Sequence, residues 1–142
     1  MQPFPAHGGQ RSLYRDGRIV YAHGGGPSNR EAMEAYHKIL QSLAAELAGT
    51  RWGVLGRSDD DTLLTPDAEE LMRETAVRVT AAGRAAVAIV LPQSPVRHLI
   101  RAQWTRVFEH AGCALGFFDD QDVARVWLEQ RLAEADAAQG SV

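Results

Sequence analysis

The chain has 142 residues, a net charge of −3 and 45% hydrophobic against 23% charged residues, which predicts a single globular domain with a core of its own. The mild negative charge gives no basis for binding nucleic acid or an anionic membrane, since both select basic faces. The longest apolar run, residues 85–91, is too short for a membrane span, and the single Cys113 excludes an internal disulfide and fits a reducing cytoplasm.

Residues 1–10, MQPFPAHGGQ, carry two Pro and two Gly and read as a flexible arm. They have neither the basic n-region nor the apolar h-region of a signal peptide. Asp16-Gly17 between two β-prone runs predicts a two-residue hairpin turn with positive φ at both central positions. In the second strand Ile19, Tyr21 and His23 share one face, and Val20 and Ala22 the other. Ser28 followed by Glu31 reads as a capping box opening a helix to Leu47, with Met33, Tyr36, Leu40, Leu43 and Leu47 as its apolar stripe. Gly49 is its stop.

A strand over residues 52–55 leads into a Ser/Asp/Thr-rich loop and then Thr65-Pro66, the N-cap and first position of a helix to Ala82. Residues 85–91 suit a strand buried on both faces. Residues 96–110 repeat helical spacing with Val96, Leu99, Ile100, Trp104, Val107 and Phe108. Residues 113–118 form the last strand. Asp119 or Asp120 caps a final helix to Leu132, with Val123, Trp127 and Leu128 inward, and 134–142 reads as a frayed polar tail.

The order β-β-α-β-α-β-α-β-α predicts a single-domain α/β fold around a mixed, mostly parallel five-stranded sheet with an N-terminal hairpin. Several stretches carry a family resemblance. They are the hairpin at Asp16-Gly17, GPSNREAMEAYHKIL at 26–40, the Trp52 strand leading to LLTPDAEEL at 63–71, and FFDDQDVARVWL at 117–128. In these the chain resembles the STAS domain of bacterial anti-sigma-factor antagonists and its small CRAL-TRIO-like relatives, with the domain placed at 11–133. The resemblance implies helices mainly on one face of the sheet and regulation through protein partners. In regulatory members a Ser in an Asp-Ser-Ser/Thr-Gly phrase after a central strand is phosphorylated by a partner kinase. Here that place holds Arg57-Ser58-Asp59-Asp60-Asp61-Thr62, a longer loop without the Gly, and Ser58 is the nearest match.

The candidate regulatory or partner-binding residues are therefore Ser58, Asp59, Asp60, Asp61, Thr62 and Thr65. A phosphate on Ser58 would be repelled by the three Asp, whereas a helix N-terminus would favour one. Gly26, Ser28 and Asn29 form a candidate anion-binding helix start. Asp59–Asp61 and Asp119-Asp120 follow parallel strands and are expected on one sheet edge, too far apart to share one ion closely. His23-Gly24-Gly25-Gly26 and Gly56-Arg57-Ser58 only partly copy hydrolase phrases, because Asp60 stands where the nucleophile elbow needs Gly. No metal site, cofactor or catalytic set is expected. The leading expectation is a non-enzymatic, cytoplasmic STAS-like domain that binds a protein partner or pairs with a second copy of itself. The alternatives are a module for a small apolar or lipid ligand, which needs an enclosed apolar cavity, and, third, a Ser hydrolase using Ser58.

Overall fold

The computed structural model describes residues 2–6, 9–25 and 28–139, with side chains from Ser12 onward. Its elements are β1 (Gln2–Ala6), β2 (Gly9–Asp16), β3 (Ile19–Gly24), α1 (Arg30–Glu46), β4 (Trp52–Ser58), α2 (Pro66–Ala81), β5 (Arg84–Val90), α3 (Arg97–Phe108), β6 (Ala114–Phe118) and α4 (Gln121–Gln139). The five expected strands lie in the expected order, and β1 adds a sixth at the edge. β1 pairs antiparallel with β2, β2 antiparallel with β3, and β3 through β6 are parallel.

This topology decides where the helices go. The parallel strands advance in one direction across the sheet, so right-handed crossovers place α1, α2 and α3 on the same face. There Met33, Leu40, Met72, Ile100 and Phe108 pack on Val20, Val54, Val87 and Ile89. α4 has no strand to return to. It folds onto the opposite face, where Ala124, Leu128 and Leu132 meet Ile19, Leu55, Ala86 and Ala88. The helices thus lie mainly on one face, three against one.

Several local expectations need correction. The hairpin loop is Gly17-Arg18, with Asp16 paired to Ile19, and only Gly17 has positive φ (60°). A single left-handed glycine at the first central position suffices for this turn. The cap of α1 is Asn29, not Ser28: its side chain accepts from the Ala32 N–H at 2.9 Å. Val123 and Leu99, expected inward, are exposed, because the inward stripe of α4 runs through Ala124, Leu128 and Leu132 and that of α3 through Ile100, Gln103 and Val107. The arm expected over residues 1–10 contains a strand, Gln2–Ala6. The tail from Glu134 is helix through Gln139, held by Asp136, which pairs with Arg18 at 2.9 Å. Residues 140–142 lie outside the described ones. No described helix is long and apolar enough to cross a membrane.

The sheet carries one irregularity, between β4 and β5. Trp52 pairs with Arg84, but Gly53 pairs with Ala86, so Ala85 is an extra residue in β5. Ala85 and Ala86 both pack on the α4 side. The bulge therefore turns Arg84 onto the same face as Val87 and Ile89, since a bulge re-aims the side chains before it.

Candidate functional site

Two loops meet at the C-terminal edge of the parallel strands. His23 is registered with Arg57 and Gly24 with Ser58. Beyond them the Asp59 N–H donates to the Gly24 carbonyl at 2.8 Å, and the Thr65 N–H donates to the Ser28 carbonyl at 3.0 Å. Ser28 and Leu64 form an isolated parallel bridge. The β3–α1 and β4–α2 loops are thus zipped together by backbone bonds.

The acidic loop is folded on itself. The Ser58 hydroxyl donates to the Asp60 carbonyl at 2.7 Å, and the Thr62 N–H donates to the Asp60 carboxylate at 3.2 Å. Ser94, from the next loop, donates to Asp61 at 2.9 Å, and Asp59 faces Arg57 at 3.7 Å. Thr65 stands at the N-cap of α2 but makes no capping bond. Its hydroxyl donates instead to Asp67 at 2.6 Å, and Asp67 accepts from the Ala68 N–H. The Thr65 hydroxyl is the chief reason that the Asp67 carboxyl is held below its usual pKa. Asn29 is occupied in capping α1. Gly26 lies outside the described residues. Asp119 lies at the same edge, one strand beyond β5, paired with Arg97 and accepting from Gln93. Among the described residues no three His, Cys, Asp or Glu side chains converge as a metal site.

Behind this edge lies a cavity of ≈ 110 Å³ between the sheet and helices α1–α3. Its floor is low for a reason legible in the register. Ala22 on β3 pairs with Gly56 on β4, so two of the smallest residues of the inner face are neighbours. A Cβ added to Gly56 would meet only the Ala88 carbonyl, at 4.0 Å. Both residues are half-buried although they sit in central strands. The walls are apolar: Met33 and Met72 from α1 and α2, Ile100 and Trp104 from α3, Val87 and Ile89 from β5. The end at the strand edge is polar and is lined by Ser28, Ser58 and Thr62 among others. Three of the residues singled out from the sequence thus share the cavity rim, while Asn29 and Thr65 stand at helix starts beside it.

The far end holds Arg84, Tyr36 and Phe108. Arg84 is 2% exposed, and its guanidinium carbon lies 5.1 Å from the centre of the Phe108 ring. Its Nε has no hydrogen-bond partner. Burial lowers its pKa, opposed by the nearby Tyr36 phenol and Cys113 thiol. Burial raises the Tyr36 pKa, and Arg84 pulls it down. Beside them His37 has its pKa pushed to about 4, first by burial, with Arg84 and Arg78 acting in the same direction and the hydrogen bond to the Met33 carbonyl opposing. Sequence reading misses Arg84 because the apolar run that marks the strand begins only at Ala85. The available signal is an Arg directly after Gly83, at the mouth of that otherwise unbroken run.

No family model matches the chain, and no curated protein matches it. A solved structure does. It is an uncharacterised protein of the DUF3478 family with a SpoIIAA-like fold from Shewanella loihica PV-4, matched with a TM-score of 0.56 at 19% identity over 83% of this chain and 91% of that one. At that identity the likeness is one of fold, and it agrees with the STAS-related architecture expected from the sequence.

Proposed function

We propose that this chain is a non-enzymatic binding module of STAS-related fold that encloses a small apolar molecule between its sheet and helices α1–α3. The observation that carries the reading is the apolar cavity of ≈ 110 Å³ over the Ala22–Gly56 floor. Its size selects among ligands. Engineered cavities of about 150 Å³ hold benzene, whereas pockets for drug-sized ligands run to about 300 Å³ or more. The occupant is therefore a compact molecule of about six to eight heavy atoms, not a diacyl lipid. Displacing water from such walls supplies the affinity.

The partner-binding reading keeps one supporting observation: the exposed acidic loop, with Asp59 and Asp61 at the surface, borders the same cavity rim. A ligand that orders this rim would change the surface a protein partner meets. Self-pairing through an open sheet face loses its motive, because α4 covers the face opposite α1–α3.

Trp104 lines the cavity and supplies a fluorescence reporter. Titration with toluene and with 1-hexanol is expected to perturb this signal and raise the melting temperature. Gly56→Val, which builds side-chain volume into the cavity, is expected to abolish both responses in a folded protein. Absence of any response in the parent chain to either probe overturns the proposal.

A further inference from the structure

We infer that the cavity is a site for a small amphipathic carboxylate, its apolar part against the Met33, Val87 and Ile100 walls and its carboxylate held by Arg84. The inference deepens the cavity reading above and rests on it. Three observations carry it.

The first is placement. Strict alternation would put Arg84 with Ala86 and Ala88 beneath α4. The extra residue Ala85 turns it instead to the inner face, where it lines the cavity. A backbone irregularity at this point aims one particular side chain.

The second is the lack of a counter-charge. Arg84 is 2% exposed and makes no ion pair among the described residues. Its Nε is buried without a hydrogen-bond partner. The groups that act on it come from α1, α3 and the turn before β6, and none is a carboxylate. They are Tyr36 and His37 from α1, Phe108 from α3, and Cys113 before β6, while Arg78 of α2 adds a like charge to the region. A guanidinium stays protonated at neutral pH, and burying one unpaired is costly. A structural role would normally supply an Asp or Glu.

The third is the match between the two ends of the cavity. One end is cationic and buried, and the walls between are apolar. A carboxylate offers two oxygens to the planar guanidinium fork, and a short hydrocarbon or aromatic body fills the rest. A neutral apolar molecule would leave Arg84 unpaired. A phosphate ester would bring a second charge to the Arg84 end, whereas the other guanidinium lining the cavity, Arg57, stands at the opposite rim.

The test compares hexanoate with 1-hexanol, which share the chain and differ in the head group, by calorimetric titration of the full chain. Hexanoate is expected to bind about 10- to 100-fold more tightly, the range for a charge-assisted hydrogen-bonded pair. Arg84→Met is expected to remove that preference while leaving 1-hexanol binding in place. The Arg84 Nε resonance of the parent protein is expected to shift on adding hexanoate and not on adding 1-hexanol, which tests the contact even if the variant fails to fold. Equal affinity for the two probes, or an unmoved Nε resonance at saturating hexanoate, overturns the inference while the cavity reading stands. Binding of neither probe overturns both.

Discussion

The Gln103 side chain holds Leu64 by both of its backbone groups: the Leu64 N–H donates to Oε1 at 2.7 Å, and Nε2 donates to the Leu64 carbonyl at 2.8 Å. Gln103 is buried on α3, and Leu64 closes the acidic loop. This pair of bonds does for the loop what a strand partner would, and it ties the cavity rim to the helix that carries Ile100 and Trp104. Gln103→Leu keeps the volume and removes both bonds, leaving a buried N–H and a buried carbonyl unpaired. The expected loss is about 2–4 kcal/mol of stability, read by urea denaturation. Faster hydrogen exchange is expected at Leu64 and Thr65. Unchanged exchange there would show that the loop is held by other means.

Gly83 and Gly49 both have positive φ, 116° and 85°, but their surroundings differ. A Cβ on Gly83 would lie 2.7 Å from the Thr50 carbonyl and 3.0 Å from Trp52 Nε1, while one on Gly49 meets nothing within 4 Å. Trp52 is fully buried and donates to the Ala82 carbonyl, so it has no room to yield. Gly49→Ala is expected to cost about 1–2 kcal/mol, the conformational term alone. Gly83→Ala is expected to cost about 3 kcal/mol or more, because a backbone collision is added. Equal losses in thermal denaturation would show that the collision is relieved.

What the sequence made legible depends on how local each signal is. Thr65-Pro66 marked the start of α2 because Pro at the first helical position is a local preference. The parallel order followed from alternating patterns. β1 was hidden by Pro3 and Pro5, which read as strand breakers. They are two residues apart, so both missing N–H groups fall on one side, and an edge strand paired on one side only tolerates that. The end of α4 was hidden because residues 134–139 are polar and small, although Ala and Glu favour helix and Asp136 finds Arg18 across the fold. The rim residues Ser58 and Thr62 were found from their place after a central strand. The cavity was not, because its floor depends on Ala22 meeting Gly56 across a register no local pattern states. Arg84 depends on a one-residue bulge, which shifts a side chain to the other face without altering the apolar run.

His37 makes the fold sensitive to acid. Its Nδ1 bonds the Met33 carbonyl at 2.9 Å, so Nδ1 carries the proton, and Nε2 faces the Thr75 hydroxyl at 2.8 Å. The folded pKa is about 4, lowered mainly by burial, against about 6.5 in an unfolded chain. Between these values the unfolded state takes up a proton that the folded state refuses. Stability from this residue is therefore complete above pH ~6.5 and is lost as the pH falls toward ~4, by about 2–3 kcal/mol in all. Urea denaturation near pH ~7.5 and ~4.5 is expected to show this loss, and His37→Gln to show markedly less of it. An identical pH dependence in the variant would place the acid-sensitive group elsewhere.

Arg84 has an energetic consequence that needs no ligand to test. If the guanidinium served the fold, it would have an acidic partner, and its removal would cost about 3–5 kcal/mol. The described residues supply a phenol, a thiol and an aromatic ring, but no carboxylate. Arg84→Met exchanges a buried charge without a counter-charge for an apolar side chain of similar reach, with a thioether set against Phe108. Such replacements are neutral or stabilising by about 1–4 kcal/mol. The variant is therefore expected to melt at or above the temperature of the parent protein without ligand. The gap is expected to narrow when hexanoate is present, because only the parent gains from it. A ligand-free variant less stable than its parent by several kcal/mol would mean that Arg84 is already compensated within the fold, and the charge would then have no need of a carboxylate from outside.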